Sequence, residues 1–133
     1  MGNAEKQPQG GFVAARARSF SHAFRGVGRL FREPNARIHA LATLVVLGLG
    51  FFLQLEPLEW GALVFAIALV LAAEAFNTAI EALADAAVPK HHPLVAEAKD
   101  VAAAGVLLAA LGAVAIAVLV LGPHLATLSQ KLR

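Results

Sequence analysis

Four polar side chains that could do chemistry together stand in one short segment, AAEAFNTAIEALAD, at the end of a long apolar run: Glu74, Asn77, Glu81 and Asp85. At about 100° per residue in an α-helix, Glu81 and Asp85 fall within about 20° of Glu74, and Asn77 within about 60°. One helix face therefore carries a concentrated acidic site. Ionised groups at the edge of a bilayer cost roughly 1 to 3 kcal/mol each, so they normally mark cation binding, proton movement or catalysis.

The composition indicates that this helix belongs to a membrane protein. Of the 133 residues, 59% are apolar and 15% are charged, and the apolar residues come in long blocks. The blocks predict three spans, at about 38–55, 58–88 and 101–121. Because a span needs about 20 apolar residues, the acidic end of the second block must sit near an interface. The chain has no cysteine, which excludes disulfides and thiol chemistry, and no signal peptide is expected.

The distribution of basic residues predicts the orientation of the spans. Seven of the eleven Lys and Arg residues precede the first span, two lie between the second and third spans, and none lies between the first and second. The positive-inside rule then puts the N-terminus and the second loop in the cytoplasm. The acidic face would meet the compartment that holds ATP.

An amphipathic surface helix is predicted at 12–33, after a polar tail at 1–11. On a helical wheel its apolar residues fall within about 60° of one another and its arginines cluster on the opposite side. Such a helix is suited to lie on an anionic membrane surface, so no nucleic-acid partner is expected. Pro34 should end it and let the chain enter the membrane. The apolar residues are Phe20, Phe24, Val27 and Phe31, and the arginines are Arg18, Arg25, Arg29 and Arg32.

The second loop, AAVPKHHPLVAEAKD, carries basic groups beside the acidic helix end. Glu81 and Asp85 could hold a divalent cation, and the basic groups could counter several negative charges. This combination fits a metal-complexed polyphosphate, since Mg²⁺ typically takes one or two carboxylates plus phosphate oxygens. Simpler interpretations stay open: adjacent loop histidines are often solvated, Asp100 could cap a span, and Glu33 could be a surface charge. The basic groups are Lys90, His91, His92 and Lys99.

The segment from Glu74 to Asp85, followed by Lys99 and Asp100, resembles the signature of the prokaryotic diacylglycerol kinase family, ExxNxAIExxxD with a downstream AKD. The resemblance covers about 16–122. Within the family, the strings NARIH at 35–39, HPL at 92–94 and AKDVAA at 98–103 are more similar to the undecaprenol kinase branch than to the enterobacterial diacylglycerol-specific one.

The resemblance implies an all-α homotrimer in the bacterial inner membrane, each subunit having the surface helix, a three-span kinase domain at 34–122 and a C-terminal tail at 123–133. Such enzymes transfer the γ-phosphate of MgATP to the hydroxyl of a membrane lipid, here undecaprenol or diacylglycerol. By motif position, Glu74 would be the general base, and Glu81 and Glu33 would hold Mg²⁺. The nucleotide and phosphate site would include Ser21, which stands at a tyrosine position of the enterobacterial form, with Asn77, Asp85, Lys90, His91, His92, Lys99 and Asp100.

Two functions from other classes are alternatives. A small oligomeric transporter subunit could use Glu74 and Glu81 for proton or cation coupling, although these acids cluster toward the end of the span and not at its middle. A membrane-surface scaffold would explain the arginine-rich helix but would leave the acidic helix face without a role. The kinase interpretation accounts for both features.

Overall fold

The computed structural model describes residues 11–133, and this part of the chain folds into four α-helices. They are α1 (Phe12–Leu30), α2 (Pro34–Leu53), α3 (Pro57–Ala87) and α4 (Pro93–Lys131). The tail predicted at 1–11 lies outside the described residues except for residue 11. The helices α2, α3 and α4 each begin with a proline. The fixed φ of proline suits the first turn of a helix, and its missing N–H costs nothing there because an N–H in the first turn has no intrahelical acceptor.

Three of these helices, α2, α3 and α4, are long and apolar enough to cross a membrane, which confirms the predicted all-helical fold with three helices that could span a bilayer. They contain 20, 31 and 39 residues. At about 1.5 Å per residue, α2 matches a bilayer core of about 30 Å, whereas α3 and α4 are longer than that core. Both must therefore project beyond the apolar layer, and Glu74, Glu81 and Asp85 lie in the second half of α3.

The helix ends differ from the predicted ones at two places. The surface helix predicted at 12–33 ends at Leu30. The last apolar span was predicted at 101–121 with a tail at 123–133, but α4, which begins at Pro93, continues through Pro123 to Lys131. A proline inside a helix removes one backbone hydrogen bond without ending the helix when neighbouring packing holds it. The Thr127 hydroxyl donates to the Pro123 carbonyl, 3.0 Å away.

The turn between α2 and α3 is short, and the helix on each side of it is capped. Gln54 takes a left-handed conformation, with φ 55° and ψ 52°, and closes α2. The Glu59 carboxylate accepts a hydrogen bond from the Glu56 backbone N–H, 2.8 Å away, in a reciprocal capping box. The same carboxylate lies 2.8 Å from Nε2 of His124. Glu59 therefore helps to cap the start of α3 and also connects α3 to α4.

Packing is densest near this turn. Leu55, Leu63 and Leu121 form the buried cluster, and Trp60 lies so close to Gly50 that a Cβ atom there would stand 2.8 Å from Cη2 of the indole. The most extensive helix contact is between α3 and α4; α2 contacts both, and α1 contacts α3. Many large apolar side chains elsewhere on the helices face outward, as expected where the surrounding solvent is lipid.

Candidate active site

The candidate site is built around two buried polar side chains of α3. Glu74 is 2% exposed and Asn77 is 6% exposed, and both face the region where α3 meets α2 and α4. They are three residues apart on one helix, so they share a face one turn apart. Burying a carboxylate among apolar helices is costly, and its retention points to a function.

The Glu74 carboxylate has a close neighbour but an unsatisfied oxygen. Nε2 of His39, on α2, lies 3.2 Å from Oε1 of Glu74. The contact is within ion-pair distance, but its geometry is not that of a hydrogen bond, and Oε1 has no hydrogen-bond partner among the described residues. A buried acceptor without a partner costs roughly 1 to 3 kcal/mol. The oxygen is thus available to a donor that enters the site.

Asn77 connects the buried part of the site to the next acidic residue. Its Nδ2 donates a hydrogen bond of 2.9 Å to Oε1 of Glu81, which orients a half-buried carboxylate one turn further along α3. Its own Oδ1 is buried and lacks a partner within the described part of the chain. Asn77 and Glu74 therefore each present one open acceptor.

The side chains of Glu74 and Asn77 line a cavity of about 240 Å³ between α2, α3 and α4. A second cavity, of about 190 Å³, has an almost entirely apolar lining and shares His39 and Ala110 with the first. A mainly apolar cavity that contains a few polar side chains and borders a second apolar cavity suits a molecule with a small polar head and a hydrocarbon tail. The first cavity is also lined by Asn35, Ile38, Ala103, Val106 and Leu107, and the second by Ala42, Thr43, Val46, Leu63 and Ala66 among others.

The loop end of α3 carries a second group of predicted residues. Nζ of Lys99 lies 2.5 Å from Oδ1 of Asp85, so that the end of α3 is joined to the start of α4. Asp85 is 72% exposed and Lys99 33% exposed, and an exposed pair of this kind contributes little stability. The pair places one positive and one negative group at the water-accessible end of the site. Lys90, His91, His92 and Asp100 are all exposed nearby in sequence.

The two predicted residues of the N-terminal region lie apart from the cavity of Glu74. Glu33, partly exposed at the start of α2, lines an open hollow of about 700 Å³ with Arg25, Gly28, Arg29 and Arg32. Ser21 is exposed on α1. Within residues 11–133, the single chain brings together no group of three or more His, Asp or Glu residues that could hold a metal ion.

Sequence reasoning missed two residues of the cavity, His39 and Asn35. Both belong to the NARIH string, which was used only to compare family branches. The signal was a histidine inside an otherwise apolar span, since ionisable groups in membrane helices usually face a cavity or a partner. The helix period alone does not show that this histidine meets Glu74.

Comparison with known proteins agrees with the motif. The chain matches the family model described as prokaryotic diacylglycerol kinase over residues 21–121. It belongs to the prokaryotic diacylglycerol kinase family. This membership confirms the predicted enzyme class, a membrane lipid kinase, and disfavours the transporter alternative.

Two curated relatives are similar to most of the chain. An undecaprenol kinase of Bacillus subtilis is 39% identical over 109 residues, which cover 81% of this chain and 89% of that protein. A diacylglycerol kinase of Synechocystis is 38% identical over 112 residues, which cover 83% of this chain and 64% of that protein. The two identities are nearly equal, so they do not by themselves distinguish the lipid acceptor.

Proposed function

We propose that this lipid kinase transfers the γ-phosphate of MgATP to the primary hydroxyl of a membrane lipid, and that Glu74 is the general base. The observation that carries the proposal is the buried Glu74 carboxylate, which has one oxygen without a hydrogen-bond partner and lines a cavity that borders an apolar one. Undecaprenol and diacylglycerol are the two acceptors suggested by the names of the relatives. The NARIH, HPL and AKDVAA strings favour undecaprenol.

The reaction needs a base because a lipid alcohol has a pKa far above 7. Glu74 would take the hydroxyl proton on Oε1 as the lipid oxygen attacks the γ-phosphorus. The new O–P bond forms, the bond from the γ-phosphorus to the bridging oxygen breaks, and ADP leaves with the electron pair of that bond. General base catalysis of this kind contributes roughly 10²- to 10⁴-fold. Phosphoryl transfer otherwise depends on alignment and charge neutralisation, so no covalent nucleophile is required.

Glu81 and Glu33 are the proposed ligands of Mg²⁺. Mg²⁺ commonly binds one or two protein carboxylates and fills its remaining positions with phosphate oxygens and water, so two glutamates fit this ion without a cluster of three acids. The hydrogen bond from Asn77 supports the role of Glu81, because it holds the carboxylate in one orientation. When bound, the ion would neutralise charge on the polyphosphate.

The nucleotide would lie at the loop end of α3, beside the pair formed by Asp85 and Lys99. Glu74 and Glu81 are two turns apart, a rise of about 10 Å along the helix. The deeper carboxylate would then meet a hydroxyl at the level of the lipid headgroups while the shallower one faces the phosphates. The remaining proposed contacts to the nucleotide are Ser21, Asn77, Lys90, His91, His92 and Asp100.

We further propose a homotrimer in the bacterial inner membrane, with the N-terminus and the active site facing the cytoplasm. The arginines of α1 and the large apolar side chains exposed on it, such as Phe20 and Phe24, support placement of this helix on an anionic membrane surface. The outward-facing apolar residues of the spans leave room for contacts between copies.

Transfer of labelled phosphate tests the proposal directly. Purified protein in detergent receives ATP labelled at the γ-phosphate and Mg²⁺, with undecaprenol and diacylglycerol offered separately. Label should move to one of the lipids in the wild type and not in Glu74→Gln. Folded protein that labels neither lipid would overturn the proposal, and label that persists in Glu74→Gln would remove Glu74 as the base.

A further inference from the structure

We infer that His39 is the positioning residue of Glu74 in the phosphoryl transfer, an inference that rests on the proposed function. It holds the carboxylate in one orientation toward the acceptor hydroxyl at the boundary between the two cavities. Three observations lead to this assignment: the contact between the two side chains, the place of His39 between the cavities, and the open oxygen on Glu74.

The contact joins two different helices at the most buried carboxylate of the described chain. Nε2 of His39, on α2, is 3.2 Å from Oε1 of Glu74, on α3. The His39 side chain is 23% exposed and that of Glu74 is 2% exposed. The distance is already within the 2.7–3.2 Å that is typical of N–H···O bonds, so a small rotation of the imidazole would align its N–H with the carboxylate and form a hydrogen bond. The imidazole is therefore placed to select one carboxylate orientation.

The position of His39 also determines where a lipid hydroxyl can stand. Its side chain lines both the cavity that holds the open acceptors and the apolar cavity beside it. A lipid whose tail fills the apolar cavity would bring its polar end to this boundary, next to the imidazole and the carboxylate together. A general base has to be within about 3 Å of the proton that it takes. The residue that orients the carboxylate at this boundary thus controls the rate.

A purely structural role would predict a different pattern. If His39 only filled space between α2 and α3, an apolar side chain of similar size would replace it without a change in rate. It would also act independently of the residue at position 74. A positioning residue acts through Glu74, so its effect must depend on the carboxylate being present at full length.

The test compares His39→Leu, which keeps the bulk but removes the donor, with His39→Gln, which keeps an N–H donor. Leu41→Ala is the control, because Leu41 also lies on α2 but is 64% exposed and lines neither cavity. We expect His39→Leu to lower kcat for lipid phosphorylation on the order of 10- to 100-fold with the KM for ATP unchanged. His39→Gln should recover much of the loss, and Leu41→Ala should resemble the wild type.

The same His39→Leu change is then made in the Glu74→Asp background, where the shorter carboxylate no longer reaches the imidazole. A positioning role predicts that the rate falls by less than about threefold there, since the two residues act as one unit. An equal loss in both backgrounds, a wild-type rate in His39→Leu, or no recovery in folded His39→Gln would overturn the assignment. Those results would leave the proposed function standing as long as the wild type phosphorylates lipid and Glu74→Gln does not.

Discussion

Replacing Glu74 by Gln should make the protein more stable and nearly inactive at the same time. The substitution keeps the size of the side chain but removes a charge from a site that is 2% exposed and whose Oε1 lacks a hydrogen bond. A buried unsatisfied acceptor costs roughly 1 to 3 kcal/mol, and more when it is charged. An ionised group at the edge of a bilayer costs roughly 1 to 3 kcal/mol. We therefore expect the free energy of unfolding to rise by about 1 to 3 kcal/mol.

Activity should change in the opposite direction. Without a base, the rate of lipid phosphorylation should fall roughly 10²- to 10⁴-fold. Both quantities are measured on the same preparation: unfolding in mixed micelles titrated with SDS, and transfer of labelled phosphate to lipid. Glu97→Gln is the matched control, since Glu97 is an exposed glutamate on α4; it should change stability by less than about 0.5 kcal/mol and leave the rate unchanged.

The prediction is easy to refute because stability is expected to rise while activity falls. A folded Glu74→Gln protein that is less stable than the wild type would show that the carboxylate is held by favourable contacts and is not an open acceptor. A rate within tenfold of the wild type would show that another group takes the hydroxyl proton. Equal effects of the Glu74 and Glu97 substitutions on stability would remove burial as the cause.

Three further predictions concern the ends of the helices and the assembly. Glu59→Ala should lower the midpoint of SDS unfolding, because it removes both a helix cap and the contact with His124; an unchanged midpoint would contradict this. Gly50→Ala should cost about 1 to 3 kcal/mol, since the new Cβ would overlap an indole ring, whereas Gly48→Ala enters open space and should be neutral in the same SDS unfolding experiment. If the metal ligands come from different subunits, mixing inactive Glu33→Gln and Glu81→Gln proteins should restore part of the kinase activity; no recovery would indicate a site within one chain.

The positions of the spans were predictable because they depend on local chemistry. Pro34 separates the surface helix from the first span, as the sequence indicated, and the acidic face of α3 follows from the 100° rotation per residue. The end of α4 was not predictable in the same way. Pro123 resembles a helix terminator in sequence, yet the helix continues to Lys131, and His124, directly after the proline, contacts Glu59 of α3.

The candidate site was predicted in part. The motif identified Glu74, Asn77 and Glu81, and the structure shows that the first two are buried and that the second is hydrogen-bonded to the third. His39 was missed as a site residue, although it stands in a string that had been noticed. A single histidine in an apolar span carries a signal of function but no information about which helix face it will meet.

The sequence by itself determined that the chain lies in a membrane, that one helix face is acidic, and which family the chain belongs to. Composition, helical period and a long motif are all local properties, so they can be read along the chain. Only the tertiary structure decided which side chains meet: His39 with Glu74, and Glu59 with His124, 65 residues apart. Such pairs depend on how the helices rotate and shift against one another as they pack, and no local pattern encodes that rotation.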